Sequence, residues 1–222
     1  MYSDLISSKR FCVVLNGEIS DEKAIRNLIS SNNYGTIIAV DGGANHLHNM
    51  GIKPDYIIGD LDSIETKVKE DFLNLGVNLR KAPKKKDETD SELAILLAES
   101  LGAISIDIFA ALGGRIDHEI GNINLLYYIL KKDIYPRIIS DNEEIYILEN
   151  DEIELYGNPG DVVSVIPIKG DANGITLTNL EYPLDEYDME YSSPRGISNV
   201  MLGENCHIDI RDGCILVIKN KI

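Results

Sequence analysis

Asp60 and Asp62 stand two residues apart in Gly59-Asp60-Leu61-Asp62-Ser63, directly after the apolar run Tyr56-Ile57-Ile58. A short apolar run of this kind reads as a buried strand, so both carboxylates arrive at its C-terminal end. In an open α/β sheet that end is where ligands bind. Paired carboxylates concentrate negative charge. Oxygen donors suit Mg²⁺, which keeps several waters and bridges to substrate phosphates. Alone, the pair reads first as a solvated turn with Ser63 as a helix N-cap, because short acidic pairs are common.

Further stretches shift the weight toward chemistry. Asp41-Gly42-Gly43-Ala44-Asn45 follows the apolar run Thr36 to Val40, and Asn16-Gly17 follows Phe11 to Leu15. Glycines at strand ends allow tight turns and let N–H groups approach a phosphate. Neither stretch is a dinucleotide fingerprint or a P-loop. Asp41 would lie near Asp60 if their strands are neighbours. Asp87-Glu88-Thr89-Asp90 opens a helix, with Thr89 or Asp87 as cap and Asp90 in the first turn, within reach of a shared metal. The four lysines between Lys81 and Lys86 could embrace a polyphosphate. Gly113-Gly114-Arg115-Ile116-Asp117-His118 follows the run Ile104 to Phe109. Arg115 offers a planar fork for phosphate oxygens, and Asp117 is an acceptor that could orient or deprotonate a hydroxyl. His118 reads as a cap or backbone partner. His46, His48 and His207 have no zinc spacing and read as structural or surface residues. Acid thus converges on one sheet edge, which supports metal-assisted phosphoryl transfer, a chemistry of positioning and charge neutralisation.

Positioning these residues needs a scaffold. Apolar runs at 11–15, 36–40, 56–58 and 104–109 alternate with helical periodicity over 21–31, 44–50, 64–75, 89–101 and 118–130, with a further strand over 77–81. Near-continuous apolar strands between helices indicate a parallel sheet covered on both faces. Past Pro136 the segments become short and β-branched, with turns such as Asn158-Pro159-Gly160 and Asp212-Gly213. The predicted architecture is an N-terminal parallel-sheet α/β catalytic domain, residues 1–141, followed by a C-terminal all-β sandwich-like domain, residues 142–222.

A chain of 222 residues can bury a sizeable core. Its formal charge of −16 argues against nucleic acid or an anionic membrane as partner. A nucleotide would need a local site, with a metal to offset the field. No apolar run is long enough to span a bilayer, and Met1 to Arg10 contains no signal-like apolar block. Cys12, Cys206 and Cys214 are odd in number and show no metal spacing, which fits a reduced, cytoplasmic setting.

Taken in order, Asp41-Gly42-Gly43-Ala44, Gly59-Asp60-Leu61-Asp62-Ser63, Asp87-Glu88-Thr89-Asp90, Gly113 to His118 and Gly196-Ile197-Ser198-Asn199 resemble the motifs of the thiamine pyrophosphokinase family, over nearly the whole chain. The resemblance implies transfer of the pyrophosphoryl group of ATP to the hydroxyl of thiamine, giving thiamine diphosphate and AMP, with Mg²⁺. It implies a homodimer with active sites shared between subunits. Asp60, Asp62 and Asp90 would form the Mg²⁺–ATP group with Asp41 beside them. Asn16, Gly42, Gly43, Gly113 and Gly114 are the other candidate nucleotide-site residues. Arg115 would contact phosphate, Asp117 would hold or activate the thiamine hydroxyl, and Ser198 and Asn199 would face thiamine from the β domain.

The chain departs from the family in three places. It has no Trp, which leaves a tyrosine or apolar side chain to cover the thiamine rings; Tyr182, Tyr187 and Tyr191 precede the Gly196 segment. Val200 stands where many bacterial relatives carry an acid, and Glu88 where another polar residue is common. Three other functions stay open: a pyrophosphokinase for another alcohol such as a pterin, a nucleotide or thiamine sensor without turnover, and a phosphatase built on Asp-x-Asp. The β domain weighs against the first. The intact carboxylates beside Arg115 weigh against the second, and the lack of a nucleophile arrangement against the third.

Overall fold

In the computed structural model, which describes residues 8–82, 87–193 and 195–221, the chain divides between Asp141 and Asn142 into two units. The first contains strands β1 (Arg10–Val14), β2 (Thr36–Val40), β3 (Tyr56–Gly59), β4 (Asn78–Lys81), β5 (Ser105–Phe109) and β6 (Tyr135–Ile139). They run parallel in the order β6–β5–β1–β2–β3–β4. The connecting helices are α1 (Glu22–Ser31), α2 (Gly43–Asn49), α3 (Thr66–Asn74), α4 (Asp90–Ser100) and α5 (Ile116–Leu130).

The burial pattern explains the unbroken apolar strands. Ile25 and Ile29 of α1, Leu47 of α2, and Val68 and Phe72 of α3 share one buried cluster with Cys12, Val14, Ala39, Ile57 and Phe109 of the sheet. Helix α4 packs on β2 and β3, and α5 on β6. Each fully buried side chain of this size contributes about 1.5–3 kcal/mol over leaving it exposed. The helix starts follow local chemistry. Asp21 accepts the Ala24 amide at 2.9 Å to cap α1. Thr89 and Glu92 close a capping box on α4 at 3.1 and 2.7 Å. The α3 helix begins at Thr66, two residues later than its periodicity predicts; Ile64, buried ahead of it, belongs to the turn. Pro136 marks the change of sequence pattern, yet it lies inside β6, opposite Ile106 of β5.

The second unit contains β7 (Glu143–Glu149), β8 (Glu152–Tyr156), β9 (Val162–Pro167), β10 (Ala172–Thr178), β11 (Leu184–Met189), β12 (Asn199–Val200), β13 (Asn205–Asp212) and β14 (Cys214–Asn220). Antiparallel pairing gives the runs β12–β9–β14–β7 and β11–β10–β13–β8. Val163, Val165, Ile215 and Val217 of the first run share a core with Leu155, Ile175, Leu177, Ile208 and Ile210 of the second. This is a sandwich. The β11 strand was not expected, because Leu184-Asp185-Glu186-Tyr187-Asp188-Met189 is mostly polar. It pairs with β10 through two register shifts, so its partner rather than its composition makes it a strand. Among the described residues no helix is long and apolar enough to cross a membrane.

Candidate active site

From β1 the strand order proceeds through β2, β3 and β4 on one side, while β5 lies on the other. At such a switch point the connections leave in opposite directions and open a crevice above the C-terminal strand ends. A cavity of about 890 Å³ lies there, a size suited to a small-molecule ligand. Its wall combines Asn16, Gly17 and Asp41 from the ends of β1 and β2, Asp90 and Ser91 at the start of α4, Gly114, Arg115, Asp117 and His118, and the α5 residues Asn122, Leu125 and Tyr128.

The carboxylates gather through backbone geometry. Val40 of β2 is opposite Ile58 of β3, and the Asp41 amide donates to the Ile58 carbonyl at 3.0 Å. Asp41 turns into the left-handed region (φ 44°), and its Oδ1 accepts the Leu61 amide at 3.1 Å. Asp60 Oδ1 accepts the Asp62 amide at 3.0 Å, bending the chain in an Asx turn. Burial pushes the Asp41 carboxyl up to about 6, helped by the charge and hydrogen bond of Asp90 and the charge of Asp60, and opposed by the Leu61 amide. Asp41, Asp60 and Asp90 are thereby brought together. Asp60 and Asp62 do not reach the cavity wall, and Asp62 is exposed. Among the described residues, no three His, Cys, Asp or Glu side chains are close enough to enclose an ion by themselves.

Arg115 forks onto Asp117, Nε to Oδ1 at 3.1 Å and Nη2 to Oδ2 at 2.5 Å. The hydrogen bonding, and then the opposite charge, hold the Asp117 carboxyl below its ordinary range and the guanidinium above its own. Both side chains are exposed, at 74% and 60%. The Gly113 and Gly114 amides donate to Glu119 Oε1 at 3.0 and 2.8 Å. Asn122 Nδ2 donates to the Ala111 carbonyl at 2.7 Å and ties α5 to the loop after β5.

The other predicted residues are distributed unevenly. Asn16 is on the wall, with Gly42 packed against its amide. Gly43 begins α2 against the Val14 carbonyl; Gly42, Gly43 and Gly113 are off the wall. Pro83 to Lys86 lie outside the described residues, and with them Lys84, Lys85 and Lys86. His46 Nε2 is 2.8 Å from the Gly17 carbonyl and His48 Nε2 is 2.9 Å from Asp71. His118, read from sequence as a cap or backbone partner, lines the cavity. Glu119, Asn122 and Tyr128 were missed. The three-to-four-residue spacing of His118, Asn122, Leu125 and Tyr128 marks one helix face, but in sequence such a face reads as core.

In the second unit, Ser198 sits at φ 63° and its amide donates to Ser164 Oγ at 3.0 Å. Asn199 is buried. Its Oδ1 accepts the Tyr182 and Val200 amides at 2.9 and 3.0 Å, and its Nδ2 donates to the Tyr182 carbonyl at 2.7 Å. Asn199 is therefore a clamp on Tyr182, whose own side chain is exposed.

Two family models match the chain: thiamin pyrophosphokinase, catalytic domain, over residues 26–138, and thiamin pyrophosphokinase, vitamin B1 binding domain, over residues 147–215. The chain belongs to the thiamine pyrophosphokinase family. As a member of that family it is a transferase. The thiamine pyrophosphokinase of Bacillus subtilis (strain 168) is 32% identical over 190 residues, which span 82% of this chain and 86% of that protein. Thiamine pyrophosphokinase 1 of Oryza sativa subsp. japonica is 31% identical over 196 residues, spanning 77% and 74%. The crystal structure of thiamine pyrophosphokinase from Bacillus subtilis matches with a TM-score of 0.86 at 28% identity, covering 96% of this chain and all of that one. The yeast thiamin pyrophosphokinase structure, at 18% identity and a TM-score of 0.81, covers 99% of this chain and 90% of its own and shares the fold.

Proposed function

We propose that the chain transfers the pyrophosphoryl group of ATP to the hydroxyl of thiamine, giving thiamine diphosphate and AMP, with Mg²⁺. The observation that carries this is the gathering of Asp41, Asp60 and Asp90 beside a cavity that also presents Arg115 and Asp117, in a chain of this family.

The donor set fits the metal. These are hard oxygen donors; burial, with the Asp90 and Asp60 charges adding to it, pushes the Asp41 carboxyl up to about 6, and a divalent cation offsets the part due to those charges. Asp60, Asp62 and Asp90 would hold Mg²⁺ with Asp41 beside them, the rest of its shell coming from water and phosphate oxygens. When bound, the ion supplies neutralisation of the charge on the transferring group. Asn16, Gly42, Gly43, Gly113 and Gly114 belong to the nucleotide side of the site, Asn16 and Gly114 on its wall and the others shaping the loops behind it.

The chain's own residues account for the proton. Arg115 leaves Asp117 and turns its fork onto a phosphate oxygen. Asp117 then loses the hydrogen bonds that held it acidic, and its affinity for a proton rises. It takes the proton of the thiamine hydroxyl as that oxygen bonds to the β-phosphorus, while the bond between β-phosphorus and the α-phosphate oxygen breaks and AMP departs. We assign residues 1–141 to ATP and residues 142–222 to thiamine, with Ser198 and Asn199 at the thiamine side. Tyr182 takes the place of the absent Trp, because Asn199 grips its backbone by both groups, whereas the Tyr187 hydroxyl is engaged by Arg195 at 3.2 Å. Sites are shared across a homodimer. The compartment is the cytoplasm, in keeping with three buried cysteines that form no disulfide.

The test is AMP formation from ATP and Mg²⁺, with and without thiamine. Thiamine-dependent AMP with thiamine diphosphate as co-product supports the reading. ADP would place the attack on a different phosphorus, and saturable binding without turnover would make the chain a sensor. A monomer by light scattering that still turns over would remove the shared site.

A further inference from the structure

We propose that Glu119 is a positioning residue that aims Arg115 at the cavity from behind the glycine loop. The inference rests on the reading that Arg115 contacts phosphate. Successive glycines have more conformational freedom than any other pair, so the loop carrying Arg115 has to be pinned by something. Glu119 does this with one oxygen, Oε1, which accepts the Gly113 amide at 3.0 Å and the Gly114 amide at 2.8 Å. Hydrogen bonds to a charged acceptor are the stronger kind, and a carboxylate in the first turns of α5 also meets the favourable field of the helix N-terminus.

The direction of these bonds decides the role. Gly114, Arg115 and Asp117 line the cavity, while Gly113 and Glu119 do not. The two amides face away from the ligand space toward Glu119, so they do not cradle a phosphate themselves. Gly113 adopts φ 78°, and a Cβ there would lie 2.6 Å from Cβ of Glu18. The loop is thus pressed against the Glu18 segment on one side and tied to Glu119, and Arg115 is held on the cavity wall.

The experiment uses the full chain with Glu119→Ala, Glu119→Asp (too short to reach both amides) and Glu119→Gln (still an acceptor). In the Ala and Asp variants, hydrogen exchange at the Gly113 and Gly114 amides should accelerate. kcat/KM for ATP should fall roughly tenfold to a hundredfold, the order produced by misplacing a group by about an ångström. Gln should recover most of the loss. In an Arg115→Ala background, removing Glu119 should cost almost nothing further, because it acts through Arg115. Additive losses, or accelerated exchange with undiminished kcat/KM, would overturn the proposal. If the parent chain makes no thiamine-dependent AMP, the proposed function fails. The same cycle read by calorimetric binding of Mg²⁺–ATP then decides Glu119 on its own.

Discussion

A Cβ on residue 59 would stand 1.9 Å from Oδ1 of Asp41. The end of β3 carries no side chain there because the carboxylate at the end of β2 fills the space. Gly59 also adopts φ 142°, which L side chains rarely do. Gly59→Ala should therefore cost about 1–3 kcal/mol in a urea melt and displace Asp41 from Asp90, with turnover falling further than the stability loss explains. An alanine variant as stable and active as the parent would show that this close approach is not required.

Asp60→Asn and Asp90→Asn should each lower turnover by roughly 10²–10³, the range seen when one charge-stabilising group is removed, with the circular dichroism spectrum unchanged. Asp90→Asn should also bring the Asp41 carboxyl down from about 6, since the Asp90 charge is among the causes that raise it. A carboxyl raised in the folded state contributes stability below its unfolded pKa and loses it as pH rises through about 6. The metal-free parent should accordingly lose stability between about pH 4 and 6 on account of Asp41, and Asp90→Asn should flatten that slope. NMR titration of the Asp41 carboxyl checks the shift directly.

Glu144 has the opposite sign. Burial alone would raise it, but hydrogen bonds from Tyr146 and Lys221 and the charges of Lys219 and Lys221 outweigh burial and bring its carboxyl down to about 2. Its side chain is 11% exposed, with Lys219 at 3.4 Å and Lys221 at 3.0 Å. Glu144 thus contributes stability above its unfolded pKa, and that contribution disappears as pH falls through about 2. The amount is about 3 kcal/mol at neutral pH. Glu144→Gln should lose a comparable amount at pH 7 and show a shallower acid limb between about pH 4.5 and 2 in denaturant titrations.

Asn199→Ala should cost about 1 kcal/mol, the net worth of hydrogen bonds to partly buried backbone groups. Because those groups belong largely to Tyr182, KM for thiamine should rise while KM for ATP stays within error. Equal changes in both would mean that the clamp does not serve the thiamine side.

Much of the architecture is written in local patterns. The runs Phe11 to Leu15 and Thr36 to Val40 are apolar without alternation because helices cover both faces of the parallel sheet. Thr89 and Glu92 announce the start of α4 through a cap that needs only four residues. Asp41, Asp60, Asp90 and Arg115 could be picked out for the same reason, since each follows a strand or opens a helix. The β6 and β11 strands were less visible: one contains Pro136, the other is polar, and both owe their conformation to a neighbouring strand.

What the sequence determines alone is therefore the class of most elements, the edge on which acid collects, and the family to which the ordered motifs belong. Tertiary structure decides which of those acids meet. Strand order places β5 beside β1 and opens the crevice, and the bare α-carbon of Gly59 admits the Asp41 carboxylate. Asn199 is turned inward to hold Tyr182, and Glu119 is engaged with the glycine amides. Such roles depend on contacts between residues far apart in the chain or on backbone angles, and neither is encoded in the spacing of residue types.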